Sequence, residues 1–192
     1  LFFQDRYVLN DVDIKIRLTR SKDEFCLMGA VARKVKILSA KLLVRKVRVA
    51  PSVGLGHAKA LEVNTAKYPI RRVVCKTFTV PNGVQDVNQE KLISGQLPQR
   101  LVVGLVKNES FNGSIKLNPF NFENFNLNEI SVHVDGQQNQ HIKPIKPDYE
   151  NKQYTEAYMS LFTGTNKINS DESNAIKLSE YPNGFCLYAF DL

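Results

Sequence analysis

Residues Gln96–Phe125 read QLPQRLVVGLVKNESFNGSIKLNPFNFENF, and the fold turns on how that stretch is read. Leu101-Val102-Val103-Gly104-Leu105-Val106 is an apolar run rich in β-branched residues. It is too short to cross a bilayer, so it predicts a strand buried on both faces, with Leu101, Val103 and Leu105 in the core. The run passes directly into an Asn-, Gly-, Pro- and Phe-rich segment with no period. A long aromatic loop is pinned by its rings against something. Phe111, Phe120, Phe122 and Phe125 are therefore candidates for contact with the loop's own domain or with a neighbouring subunit.

Outward from this stretch, Val12, Ile14, Ile16 and Leu18 alternate with polar residues, the signature of a half-buried strand. Ser21–Glu24 reads as a polar turn. Residues 33–49 are strand-like with a slip in parity, which predicts a bulge or two strand pieces. Pro51–Glu62 can form a short helix. Ile70–Val80 carries apolar residues on both parities and predicts a strand well inside a sheet, and Asn88–Ile93 a single helical turn. Beyond the loop, Ile130, Val132 and Val134 alternate with polar residues, and Asp135-Gly136 is a turn signal with His141–Lys146 as the returning arm. Tyr154, Ala157, Tyr158 and Leu161 fall at i, i+3, i+4 and i+7, which predicts an amphipathic helix over about Asn151–Phe162, stopped by Gly164. Thr165–Leu178 reads as a surface loop, and Phe185–Leu192 as the final strand. About seven strands, long loops, one or two short helices and no βαβ rhythm predict a mainly β, antiparallel sandwich or barrel.

The 192 residues, 43% hydrophobic and 23% charged, suit one domain with a real core. The net charge of +7 is uneven: residues 1–80 hold 17 Lys and Arg against 6 Asp and Glu, and residues 81–192 hold 9 against 13. Such asymmetry suits a surface facing a polyanion or complementary faces between subunits; a solvated basic strand face explains it equally well. Arg45, Lys46 and Arg48 lie in the most basic stretch and are the candidates for such contacts. Cys26, Cys75 and Cys186 are odd in number and widely spaced, which predicts reduced thiols and a reducing compartment. No run of apolar residues is long enough for a membrane span.

Catalytic and metal signatures are missing from the sequence. His57, His133 and His141 form no i, i+4 pair, Gly54 and Gly56 lack the remainder of a phosphate loop, and no G-x-S-x-G occurs. The pairs Asp11 with Asp13, and Asp171 with Glu172, read as a strand's polar face and an acidic loop. No cofactor, metal or catalytic residue is expected. A basic nucleic-acid-binding β domain, a jelly-roll enzyme or lectin, and a domesticated host protein are the alternatives to a structural role.

Several longer segments occur together and in one order. They are Tyr7–Ile14, Arg20–Phe25, Ala66–Ile70, Gly95–Pro98 with Arg100-Leu101, Phe111–Gly113, Asn118–Phe122, Asp135–Gln137, Ala157–Leu161 and Leu187–Leu192. In these the chain resembles the double jelly-roll major capsid proteins of Polinton (Maverick) elements and adintoviruses, which are adenovirus-hexon-like. The resemblance runs over nearly the whole chain. It implies that residues 1–192 are a single jelly-roll domain, the second half of a double jelly roll, lacking its last strands and the upstream roll. It further implies a structural protein of the virion: homotrimeric, pseudo-hexagonal capsomers tiling an icosahedral shell. Self-contact in the capsid lattice, contact with a penton-type protein and non-specific DNA contact would be its partners.

Overall fold

The computed structural model describes residues 7–10, 12–134, 137–138 and 142–192. The elements run α1 (Asp23–Cys26), α2 (Pro51–Val63), β1 (Arg100–Gly104), α3 (Asn108–Asn112), β2 (Phe122–Glu123), β3 (His133–Val134), β4 (Gln137–Gln138), α4 (Thr155–Thr163), β5 (Asn183–Gly184) and β6 (Leu187–Asp191). The chain divides into two units, one of Leu1–Thr19 with Lys36–Phe78 and the other of Arg20–Val35 with Thr79–Leu192.

The second unit holds the core. β1 pairs antiparallel with β6 in the register Leu101↔Phe190, Val102↔Ala189 and Val103↔Tyr188, with Arg100 opposite Asp191 at the end. Opposite charges facing each other across an antiparallel pair favour that register. The period of Tyr154, Ala157, Tyr158 and Leu161 puts Ala157 and Leu161 on one face of α4, and both are buried. That face lies on β6, whose Tyr188, Ala189 and Phe190 are buried with them, together with Ile142, Ile145, Tyr181 and Cys186. Each fully buried aliphatic or aromatic side chain contributes about 1.5–3 kcal/mol.

Small residues permit the close packing. A Cβ on Gly164, at the end of α4, would meet the Ala189 backbone carbon at 2.7 Å. A Cβ on Gly104 would meet Leu187 Cδ2 at 2.6 Å and Phe122 Cδ1 at 2.7 Å. The Ser160 hydroxyl donates to the Ala157 carbonyl at 2.7 Å and accepts from the Ala189 N–H at 3.2 Å, which ties helix to strand. Smaller pairings complete this unit: β2 with β5, β3 with β4, and an Ile130↔Ile145 bridge.

In the first unit α2 is the one regular element among the described residues. Pro51 starts it, where a missing N–H costs nothing, and none of its residues is buried. The Leu9 N–H donates to the Tyr68 hydroxyl at 3.1 Å. Residues 12–18, 36–49 and 70–78 have neither helix nor sheet pairing. Their apolar side chains stand in water: Leu43 is 92% and Val73 96% exposed.

This corrects the expected fold class. The described residues form three two-stranded sheets with strands of two to five residues, not an antiparallel jelly-roll sandwich. The physical reason lies in what alternation encodes. A period of two describes a side-chain pattern, whereas a sheet needs a partner edge for its N–H and C=O groups, and a jelly roll needs eight strands. The three alternating segments have the pattern without the partner. For the same reason Ile70–Val80 is not inside a sheet. β1 is also not buried on both faces: Val102, on the face opposite Leu101 and Val103, is 53% exposed. Leu101 and Val103 are half-buried and pack on the core, and Leu105 is half-buried as well. Ser21–Glu24 runs into α1 instead of a turn, and Asn88–Ile93 holds a turn at 90–91 without a helix. The expected hairpin turn Asp135-Gly136 and the start of its returning arm, His141, lie outside the described residues.

Candidate interaction surfaces

The Phe-rich loop is organised by asparagines. Asn118 Oδ1 accepts from the Phe120 N–H at 2.9 Å and Asn124 Oδ1 from the Asn126 N–H at 2.8 Å, two local turns of the kind Asn favours. Asn124 Nδ2 reaches across to donate to the Pro182 carbonyl at 2.9 Å. The Glu123 N–H donates to the Leu105 carbonyl at 3.1 Å, and Glu123 also pairs with Lys107 at 3.0 Å. Phe125 (φ 47°) and Asn126 (φ 52°) are both left-handed, an unfavourable conformation for a bulky ring, which the flanking bonds hold in place.

These constraints sort the four rings. Phe122 alone is half-buried, on the bare Cα of Gly104, and its carbonyl accepts from the Cys186 N–H at 3.1 Å. Phe111 is 42%, Phe125 51% and Phe120 62% exposed. Phe120 meets Phe25 edge-on at 5.7 Å, so one of its edges is covered. One ring thus anchors the loop internally and three face outward.

Arg45, Lys46 and Arg48 are exposed, interleaved with exposed Val44, Val47 and Val49. Residues 33–80 contain 12 Lys and Arg and a single carboxylate, Glu62. In the first unit a hollow of about 310 Å³ is lined by Val8, Val12, Asp13, Ile14, Lys15, Tyr68 and Ile70. With an apolar wall and one charge of each sign, it shows no ordered set of converging polar groups.

A polar cluster that sequence reading did not find sits in the core. Tyr149 Oη lies 2.7 Å from Tyr188 Oη and 3.1 Å from Cys186 Sγ, and Cys186 Sγ lies 3.4 Å from Tyr188 Oη. The Tyr181 hydroxyl donates to the Leu187 carbonyl at 2.8 Å. Stacked rings continue from Tyr149 to Tyr154 at 5.6 Å and from Tyr154 to Tyr181 at 6.2 Å. Burial pushes the hydroxyls of Tyr149, Tyr181 and Tyr188 well above the ordinary tyrosine range. Hydroxyls and a thiol that satisfy one another's hydrogen bonds stabilise a core. No sequence signal could have joined Tyr149 to residues so far along the chain.

Elsewhere, Asp23 accepts from the Val35 N–H and from Arg20, and these contacts hold its carboxyl below the usual range. Asp148 is lowered likewise by the Asn151 side chain and N–H. His57 is exposed on α2, His133 Nε2 lies 3.3 Å from Ser131 Oγ, and His141 is outside the described residues. Among the described residues no group of three or more His, Cys, Asp or Glu is placed to hold a metal, and no helix is long and apolar enough to cross a membrane.

Comparison with known proteins adds one relative. An uncharacterized protein of Caenorhabditis elegans, F54H12.2, is 26% identical over 201 residues, covering 100% of this chain. The chain spans about half the length of that relative, 47%. No family model and no solved structure matches.

Proposed function

We propose that the chain is a structural protein that works by self-association, part of a major capsid protein of the Polinton and adintovirus kind. The observation that carries this reading is the ordered series of long, non-catalytic segments spread along the sequence. Two of them, Ala157–Leu161 and Leu187–Leu192, supply α4 and β6, the packing centre of the second unit. Residues spent on packing are what a shell subunit needs. The outward Phe111, Phe120 and Phe125 and the exposed apolar segments of the first unit supply surface for neighbouring copies. The proposed assembly is a homotrimer within a capsid lattice, with a penton-type protein as a further neighbour and no reaction catalysed. Its place is the virion, after synthesis in a reducing compartment, in keeping with three free cysteines.

Light scattering on the chain separates this reading from others. The reading expects a mass at or above three times 21.8 kDa as concentration rises; a monomer mass throughout would overturn it. A second reading, polyanion binding, is favoured by exposed Arg45, Lys46 and Arg48. It expects DNA retention that falls steeply with salt and weakens when all three become Gln; salt-insensitive or absent retention would sink it.

A further inference from the structure

We propose that Asn82 is a site of spontaneous covalent modification, an asparagine that its own chain converts to aspartate and isoaspartate in the folded protein. The reaction needs only water and the chain itself, so it does not depend on the self-associating reading.

Asparagine is labile where the next backbone nitrogen can reach its side-chain amide. Glycine as the next residue opens that approach, because it brings no Cβ to crowd the nitrogen. The sequence holds three such pairs, Asn82-Gly83, Asn112-Gly113 and Asn183-Gly184. The structure separates them. Asn112 Nδ2 donates to Asn108 Oδ1 at 3.1 Å, and the Gly113 N–H donates to the Ser110 carbonyl at 3.3 Å. Asn112 also ends α3, and a Cβ on Gly113 would meet the Glu24 Cβ at 3.2 Å, so this backbone has little room to turn. Gly184 is buried and paired with Phe122 between β5 and β2, and the Asn183 N–H donates to the Glu180 carbonyl at 3.2 Å.

Asn82-Gly83 has none of these restraints. Both residues are exposed, at the centre of a turn over residues 81–84. One long bond closes the turn, from the Val84 N–H to the Pro81 carbonyl at 3.4 Å. Neither the Asn82 side chain nor the Gly83 N–H has a hydrogen-bond partner among the described residues. Nothing lies within 4 Å of the position a Gly83 Cβ would take, which leaves the main chain free to rotate.

The Gly83 nitrogen attacks the Asn82 side-chain carbonyl carbon. A C–N bond forms, the bond to Nδ2 breaks, and ammonia leaves with the proton that Gly83 N gives up. Water then opens the cyclic imide at one of its two carbonyls, giving aspartate or isoaspartate. Either product places a carboxylate directly after residues 33–80, whose 12 Lys and Arg have one carboxylate among them. Isoaspartate also routes the main chain through the side chain and lengthens it by a methylene, shortly past Phe78, where the chain leaves the first unit.

The test holds the folded chain at mildly alkaline pH and follows acid at the three pairs by peptide mass spectrometry, with isoaspartate counted by enzymatic methyl transfer. Asn82 should convert about tenfold faster than Asn112 or Asn183, the ratio that about 1.4 kcal/mol of local structure at the other two produces. In strong urea the three rates should converge, because the dipeptide is the same. Hydroxylamine, which cleaves the imide, should cut the folded chain between Asn82 and Gly83 and spare the other two pairs. Asn82→Gln should abolish both the acid at 82 and the cut, with the far-UV circular dichroism unchanged. Equal conversion of the three in the folded chain, or faster conversion at Asn112 or Asn183, overturns the proposal. A rate advantage for Asn82 that persists undiminished in urea also overturns it, because flanking sequence and not the fold would then set the rate.

Discussion

Tyr188, Tyr149 and Cys186 show how much one polar group can decide. Their hydroxyls and thiol satisfy one another within a buried core. Tyr188→Phe removes one member and leaves Tyr149 and Cys186 with fewer partners, so urea unfolding should show a loss of about 1–3 kcal/mol. The same burial gives a pH dependence. The folded chain keeps the protons of Tyr149, Tyr181 and Tyr188 above tyrosine's ordinary 10.0, and the unfolded chain releases them there. Stability from these groups is therefore fully present below pH 10 and lost as pH rises beyond it. Absorbance of phenolate followed with circular dichroism should show these three ionising together with unfolding. At the acid end, Asp23 and Asp148 sit below the ordinary 3.8, so their contribution is present above that pH and lost as it falls through their lowered values. Gly104 is a second decisive residue. Gly104→Ala drives a methyl into Leu187 and Phe122 and should cost about 1–3 kcal/mol by thermal or urea unfolding.

At the scale of elements, the two halves of the chain respond differently to the same chemistry. Leu161 is buried between α4 and β6, so Leu161→Ala should cost about 2–5 kcal/mol in the monomer. Leu43 touches no core, and Leu43→Ala should stay within about 0.5 kcal/mol. Equilibrium unfolding of both variants checks the contrast. The legibility of the sequence follows the same divide. Residues i, i+3, i+4 and i+7 share a helix face whatever surrounds them, so α4 could be read from Tyr154, Ala157, Tyr158 and Leu161 alone. β6 and α2 were legible for similar local reasons: an apolar run after a turn, and a proline before a helix-compatible stretch. The pairing of Leu101 with Phe190 depends on residues far apart in sequence, and no local period reports it. The alternation of Val12–Leu18 and Ile70–Val80 led to a sheet that the described residues do not form, because alternation does not supply the opposite edge. Among the candidate contact residues, the exposure of Arg45, Lys46 and Arg48 follows from their charge. That Phe122 turns inward while Phe120 and Phe125 turn outward depends on Gly104 and on the turns at Asn118 and Asn124, which spacing does not encode.

For the whole molecule, a small core in the second unit coexists with a first unit whose apolar side chains lie open. Large apolar exposure marks surfaces that other molecules cover. In the proposed assembly that cover comes from further copies of the chain. Hydrogen–deuterium exchange, compared between dilute monomer and concentrated chain, tests the assignment residue by residue. The amides of residues 36–49 and 70–78, and those around Phe120 and Phe125, should exchange freely in the monomer and become protected on association, while those of α4 and β6 are protected in both. Equal, rapid exchange of residues 36–49 and 70–78 at every concentration would contradict the account.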